Sequence, residues 1–236
     1  MTDFDAHALW VNDPLDRYCC ATGEASVYLQ TLGVAEEHIT ITGIPIHPLF
    51  SKPRDASDAR KAHGISGDRP VVLQLAGGFG VGPIEKLTRS ILSIEKPLDL
   101  VVVAGRNEKL KQQLDAVDAP ARHRLKVMGF TDKMDELMAA ADVVVSKPGG
   151  LTTSEVLARG AAMAIVNPIP GQESRNSDFL LENGAAIKIN SAATLPYKLG
   201  QLLGDAKRLE TLKRNARRIA KPQAAFDVAR LALGMV

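Results

Sequence analysis

The feature that most restricts this fold is a series of short apolar runs, each followed by a segment of helical period. The runs are PVVLQL at 70–75, LDLVVVA at 98–104, residues 125–128, ADVVV at 141–145 and residues 163–167. They are too short for buried helices and too uniformly apolar for strands with one wet face. Helical periodicity follows at 84–92, 108–114, 134–140, 152–159 and 177–182. Parallel strands need a crossover, and a helix supplies it, so strands apolar on both faces predict a parallel sheet with helices on each side. The expectation is an α/β, doubly wound, Rossmann-like fold. Right-handed crossovers then gather ligand sites at the carboxyl ends of the strands.

A seam interrupts this pattern at 43–53 (GIPIHPLFSKP), where three prolines and a glycine resist helix and strand alike and predict a linker. Before it lies a strand near 16–21, a helix near 24–32 and a strand at 39–42. Two strands make a poor independent domain. Residues 1–45 therefore read as a remnant βαβ unit, the end of an N-terminal domain whose other strands lie outside this chain, with Met1 as a truncation point. Residues 46–222 read as the main domain and residues 223–236 as a C-terminal helix after Pro222.

Composition narrows the function. With 29 basic and 27 acidic residues, a net charge of +2 and 4% aromatics, the chain lacks the basic face and stacking rings of a nucleic-acid binder. Cys19 and Cys20 sit in a short apolar segment and read as reduced core thiols of a cytosolic protein. The N-terminal stretch carries Asp3, Asp5 and Asp13 without a basic run, unlike a secretory leader, and no apolar stretch is long enough to span a bilayer.

Four loops carry the chemistry. The first, Ser146-Lys147-Pro148-Gly149-Gly150-Leu151-Thr152-Thr153-Ser154-Glu155, follows the strand ADVVV and opens a helix. Gly149 and Gly150 allow close approach to the backbone, the free N–H groups of a helix start attract a diphosphate, and Thr152 and Thr153 add hydroxyl donors. Glu155 fits two roles: accepting hydrogen bonds from a ribose diol, or closing a capping box with Thr152. The second loop holds Gly77, Gly78, Gly80 and Gly82 directly after PVVLQL. It is neither a Walker A loop nor a clean dinucleotide fingerprint, and it reads as an anion cradle or a tight strand–helix turn. The third, Asn167-Pro168-Ile169-Pro170-Gly171-Gln172-Glu173, stiffens Gln172 and Glu173, an amide and a carboxylate suited to sugar hydroxyls, or simply leads into a helix. In the fourth, Arg106 follows LDLVVVA and faces a phosphate or solvent.

Taken together, TDFDAHALW, DRY, TGIPIHPLF, AGGFGVGP, VVAGRNEKL, GFTDKMDELMAAADVVVSKPGGLTTSEVLARG and NPIPGQESRNSDFLLENGAA resemble family 28 of the glycosyltransferases. This is a GT-B group that includes the monogalactosyldiacylglycerol synthases and the processive diacylglycerol glucosyltransferases. The resemblance runs from Thr2 to about Ala186 and implies two Rossmann-like domains facing across a cleft, the C-terminal one binding a UDP-sugar. It implies diphosphate at the helix opened by Gly149 and Gly150, uridine ribose on Glu155, uracil at Phe130 and sugar hydroxyls on Gln172 and Glu173. It further implies inverting transfer of a hexose from UDP-glucose or UDP-galactose to diacylglycerol, with no catalytic metal and no cofactor. The place of action would be cytoplasmic, peripheral on the inner face of a membrane. The usual base belongs to the missing half, leaving His7 as the histidine with the best motif context, and Trp10 as a lipid contact or a packing residue. Alternatives are GlcNAc transfer to a lipid-linked peptidoglycan precursor, or a non-catalytic UDP-sugar-binding module. The basic run from Lys207 to Lys221, seven basic residues against Glu210, is a candidate contact for anionic lipid.

Overall fold

The central strands of this chain are built mostly from apolar, largely β-branched residues buried on both faces. The computed structural model, which describes residues 1–11, 15–77 and 82–234, places the strands in two parallel sheets. The small one pairs β1 (Tyr18–Cys20) with β2 (Ile39–Ile41) around α1 (Gly23–Thr31). After a 3-10 turn at Pro48–Ser51 come α2 (Ala56–Ala62), β3 (Val71–Leu75), α3 (Ile84–Leu92), β4 (Asp99–Val103), α4 (Glu108–Asp115) and β5 (Arg124–Met128). They are followed by α5 (Met134–Ala140), β6 (Val143–Ser146), α6 (Gly150–Ala158), β7 (Ala162–Val166), α7 (Gln172–Glu182) and β8 (Ala186–Ile189). The chain closes with α8 (Leu195–Gly204), α9 (Ala206–Ile219) and α10 (Ala224–Ala232).

The large sheet has the order β5-β4-β3-β6-β7-β8, all parallel. Alternate residues feed two cores. Val71, Leu73, Val101, Val144 and Met163 face the layer of α5, α6 and α7, while Val72, Leu100, Val102, Val143 and Ala164 face α3, α4 and α8. Inside β3 a polar residue breaks the pattern: Gln74, 1% exposed. Its amide donates to the Ile84 carbonyl at 3.0 Å and accepts from the Thr88 hydroxyl at 3.0 Å. Both of its polar ends are thereby satisfied, and the start of α3 is fixed to the sheet. The strand order reverses between β3 and β6, so their following loops part and leave a crevice at the carboxyl edge.

The seam at 43–53 is not a free spacer. Ile44, Ile46 and Phe50 are buried in the α5–α7 core, and Arg159 donates to the carbonyls of Leu49 and Lys52, both at 2.7 Å. The chain returns to this seam at its end, where a Cβ on Gly43 would stand 2.4 Å from Lys221 Cβ. The N-terminal segment bridges the two sheets. The Met1 amino group donates to the Cys19 carbonyl at 2.9 Å, and the Phe4 N–H donates to Asn176 Oδ1 at 2.9 Å. The Phe4 ring stacks on Phe179 with centroids 4.5 Å apart. Cys20 is buried and its thiol is pushed up by burial, Cys19 is partly exposed, and both are free thiols.

Candidate functional site

At the crevice between β3 and β6, the loops after β3, β6 and β7 enclose one cleft. Its lining includes Gly77, Gly82, Ser146, Lys147, Gly149, Thr152, Asn167 and Glu173. Gly77 and Gly82 have φ of +74° and +121°, a region that side chains rarely adopt, so the turn between β3 and α3 requires glycine at both ends. Gly78 and Gly80 lie outside the described residues. Helix α6 starts at Gly150 with Gly149 as its N-cap and no side-chain cap, so among the described residues its first-turn N–H groups have no side-chain acceptor at this cleft. The cleft therefore combines the positive end of a helix dipole, a lysine and a carboxylate within a few ångströms.

The two central glycines do different things. A Cβ on Gly149 would have 3.8 Å of clearance from Glu173 Oε1, which is ordinary contact. A Cβ on Gly150 would lie 1.9 Å from the Thr2 carbonyl oxygen, so this glycine exists to let the N-terminal segment lie against the helix start. Thr152 lines the cleft, whereas Thr153 is fully buried with a hydroxyl that finds no partner among the described residues. A capping box is ruled out for Glu155, because Thr152 lies inside α6 rather than at its cap. Burial pushes the Glu155 carboxyl up to about 7, a carboxylate in want of hydrogen-bond donors. Glu173 Oε2 accepts the Ile169 N–H at 2.7 Å, and Glu173 Oε1 lies 3.6 Å from Lys147 Nζ.

A second cleft adjoins the first across the Pro170–Gln172 turn, lined by Asp3, Asp5, His7, Leu9, Trp10, Gln172 and Arg175. Here His7 Nδ1 accepts the Leu9 N–H at 3.2 Å, which places the ring proton on Nε2 and makes that nitrogen a donor. To take a proton from a hydroxyl through Nε2, His7 would have to give up this contact. Asn176 holds the two clefts together: buried at 0% exposure, its amide donates to Asp3 Oδ1 at 2.8 Å and to the Pro148 carbonyl at 3.0 Å. At the far end of the sheet, beyond β4 and β5, Arg106 lies over the Phe130 ring, 4.8 Å from its centroid. Phe130 is 65% exposed, a flat apolar face open to a ligand ring.

Residues 84–230 match the family model described as glycosyltransferase family 28 C-terminal domain, and residues 1–46 match that of monogalactosyldiacylglycerol (MGDG) synthase. The chain belongs to glycosyltransferase family 28. Among its relatives, the processive diacylglycerol beta-glucosyltransferase of Bacillus pumilus is 36% identical over 215 residues, covering 91% of this chain and 56% of that protein. That of Bacillus subtilis is 34% identical over 216 residues, with the same coverage of 91% and 56%. The family 28 chain thus spans a little over half the length of the curated relatives it matches. Acinetobacter baumannii MurG shares the fold at a TM-score of 0.64 and 24% identity, over 91% of this chain and 64% of that one. Staphylococcus aureus MnaA, solved with UDP, does so at 0.67 and 14%, over 94% and 62%.

Of the positions singled out from sequence, the family 28 cleft gathers Gly77, Gly149, Thr152 and Glu173, with Glu155 further along the same helix. Gln172 faces the second cleft with His7, and Arg106 sits with Phe130 rather than at the helix start. Lys147 and Asn176 were read only as parts of longer motifs. The signal for Lys147 was a lone cation two residues ahead of a glycine helix start. Asn176 carried none, since its partners Asp3 and Phe4 lie more than 170 positions away.

Proposed function

We propose that this chain is the donor-binding part of an inverting hexosyltransferase that passes a sugar from a UDP-sugar to diacylglycerol. Glucose is the donor sugar that the named relatives point to, with galactose, from the synthase match at 1–46, the second candidate. The observation that carries the reading is the start of α6, with no side-chain cap, on the cleft at the strand-order switch, with the Lys147–Glu173 pair in the same cleft wall. The diphosphate sits on the α6 N–H groups, the ribose diol donates to Glu155, and the uracil stacks near Phe130. Staphylococcus aureus MnaA, which shares the fold, was solved with UDP, and this supports UDP as the ligand class. As the bond from anomeric carbon to phosphate breaks, charge gathers on the departing UDP, where the helix start stabilises it without reorganisation.

The acceptor approaches through the second cleft, whose lining includes Trp10 and Leu9, the latter 69% exposed, apolar side chains suited to a lipid. His7 then acts as a hydrogen-bond donor to the acceptor, and the general base comes from outside this chain. In this reading residues 1–45 close the acceptor domain, 46–222 form the donor domain and 223–236 are a C-terminal helix. The protein works from a membrane surface on the cytoplasmic side, and among the described residues no helix is long and apolar enough to cross one. UDP at about 100 times its dissociation constant should add about 2.7 kcal/mol to the stability of the folded chain. A thermal melt unmoved by millimolar UDP would remove the donor site. A transfer assay on the full-length protein with diacylglycerol and several UDP-sugars decides the substrate pair.

A further inference from the structure

The carboxylate that faces the sugar end of the cleft is already engaged. Glu173 Oε1 stands 3.6 Å from Lys147 Nζ, and Glu173 Oε2 is held by the Ile169 N–H at 2.7 Å. The Glu173 side chain is 16% exposed and that of Lys147 35%, so the pair lies in the wall of the cleft rather than in bulk water. Lys147 leaves the sheet directly after β6 and stands two residues ahead of Gly149, the N-cap of α6. A Cβ placed on Gly149 would in turn stand 3.8 Å from Glu173 Oε1. One flexible ammonium therefore lies between a carboxylate of the protein and the place where a diphosphate would sit. Its separation from Glu173 is that of a loose ion pair, longer than a charge-assisted hydrogen bond. A diphosphate carries more charge than one carboxylate and offers shorter contacts, so it competes successfully for the same cation.

We propose that Lys147 exchanges partners when the donor binds, leaving Glu173 for the diphosphate and freeing the Glu173 carboxylate to accept hydrogen bonds from the hexose hydroxyls. The Ile169 N–H keeps Glu173 in place while Lys147 departs. Sugar recognition then follows phosphate recognition, and a hexose without its nucleotide meets a carboxylate that is masked. The inference rests on the donor-site reading and adds to it an order of events and a role for Lys147. That role is positional toward Glu173 and electrostatic toward the leaving group.

The test is calorimetric titration of the 236-residue chain and of K147M, E173Q and the double variant, each with UDP and with UDP-glucose. Methionine keeps the unbranched stem without the charge, and glutamine keeps an oxygen for the Ile169 N–H. K147M should lose about tenfold or more in UDP affinity, the scale of one hydrogen bond to a charged group. E173Q should bind UDP several-fold more tightly, because the phosphate no longer competes for the cation, and this gain should vanish in the double variant. In E173Q the ratio of the UDP-glucose to the UDP dissociation constant should also rise several-fold. UDP affinity unchanged in K147M, or lowered in E173Q as much as that of UDP-glucose, overturns the exchange and leaves the donor site standing. No UDP binding by the unmodified chain overturns both. Should K147M melt below the assay temperature, E173Q carries the test alone, with K147R expected to retain UDP affinity.

Discussion

Glu155 shows how far one residue's environment can tie binding to pH. Burial raises its carboxyl from 4.5 to about 7. Below 4.5 the group is protonated in the folded and the unfolded chain alike. As pH rises from there toward 7, the unfolded chain releases its proton and the folded chain retains it. Stability therefore falls across that window, by about 2 kcal/mol once solvent screening is allowed for. Melting temperature against pH reads this slope, and Glu155→Gln should flatten it. Ribose hydroxyls favour the charged carboxylate, so UDP binding should release a proton at slightly acidic pH and weaken as the pH drops. Titration in two buffers of different ionisation enthalpy measures that proton, and heats independent of buffer would show that no ribose meets Glu155. The glycine pair separates two roles in the same way. Gly150→Ala drives a methyl into the Thr2 carbonyl and should cost about 1–3 kcal/mol. Gly149→Ala has room and a φ of −64°, and should leave the melting temperature almost unchanged.

Among the elements, α7 does more than cover the sheet. Through Asn176 it fastens Asp3 and Phe4 of the N-terminal segment to Pro148 of the loop before α6. Removing that amide strands buried donors and acceptors, so Asn176→Ala should lower stability by about 3 kcal/mol or more. It should also raise amide hydrogen exchange across residues 2–7 well ahead of the rest of the chain. Exchange rising uniformly would mean that the segment is held by Phe4 stacking on Phe179 instead. Elements also differ in how readily they show in sequence. The strands buried on both faces, β3, β4, β6 and β7, stand out as runs dominated by Val, Ile, Leu and Ala. Edge strand β8, four residues with Lys188 among them, and helix α2, with a single buried residue in Ala59, carry too weak a pattern to be read. Helix α8 has an apolar stripe, Leu195, Leu199, Leu202 and Leu203, but opens on Pro196.

For the whole molecule, the proposed action on a lipid raises the question of which side would meet a membrane. The clefts open at the carboxyl edge of the sheet. Helix α9 is tied to the opposite edge: Lys213 pairs with Asp142 ahead of β6, Asn215 donates to the Gly184 carbonyl ahead of β8, and Arg217 packs on Gly160 ahead of β7. The basic run thus sits a full strand length from the second cleft; Lys213 is engaged by Asp142, and Arg217 pairs with Glu210 of the same helix. Vesicle co-sedimentation should be lowered by Leu9→Ser and left unchanged when Arg214, Arg217 and Arg218 become glutamine; the reverse result would move the membrane contact to α9. By itself the sequence determined the parallel sheet, because only strands dry on both faces tolerate such runs. It also determined the helix start at Gly149 and Gly150, because a glycine pair after a strand leaves backbone N–H groups free. Tertiary structure decided what each nearby side chain does. Gly150 yields to Thr2, Arg106 turns to Phe130, Lys147 guards Glu173, and Glu155 caps nothing. Those outcomes depend on contacts between segments far apart in the chain, and local spacing holds no record of them.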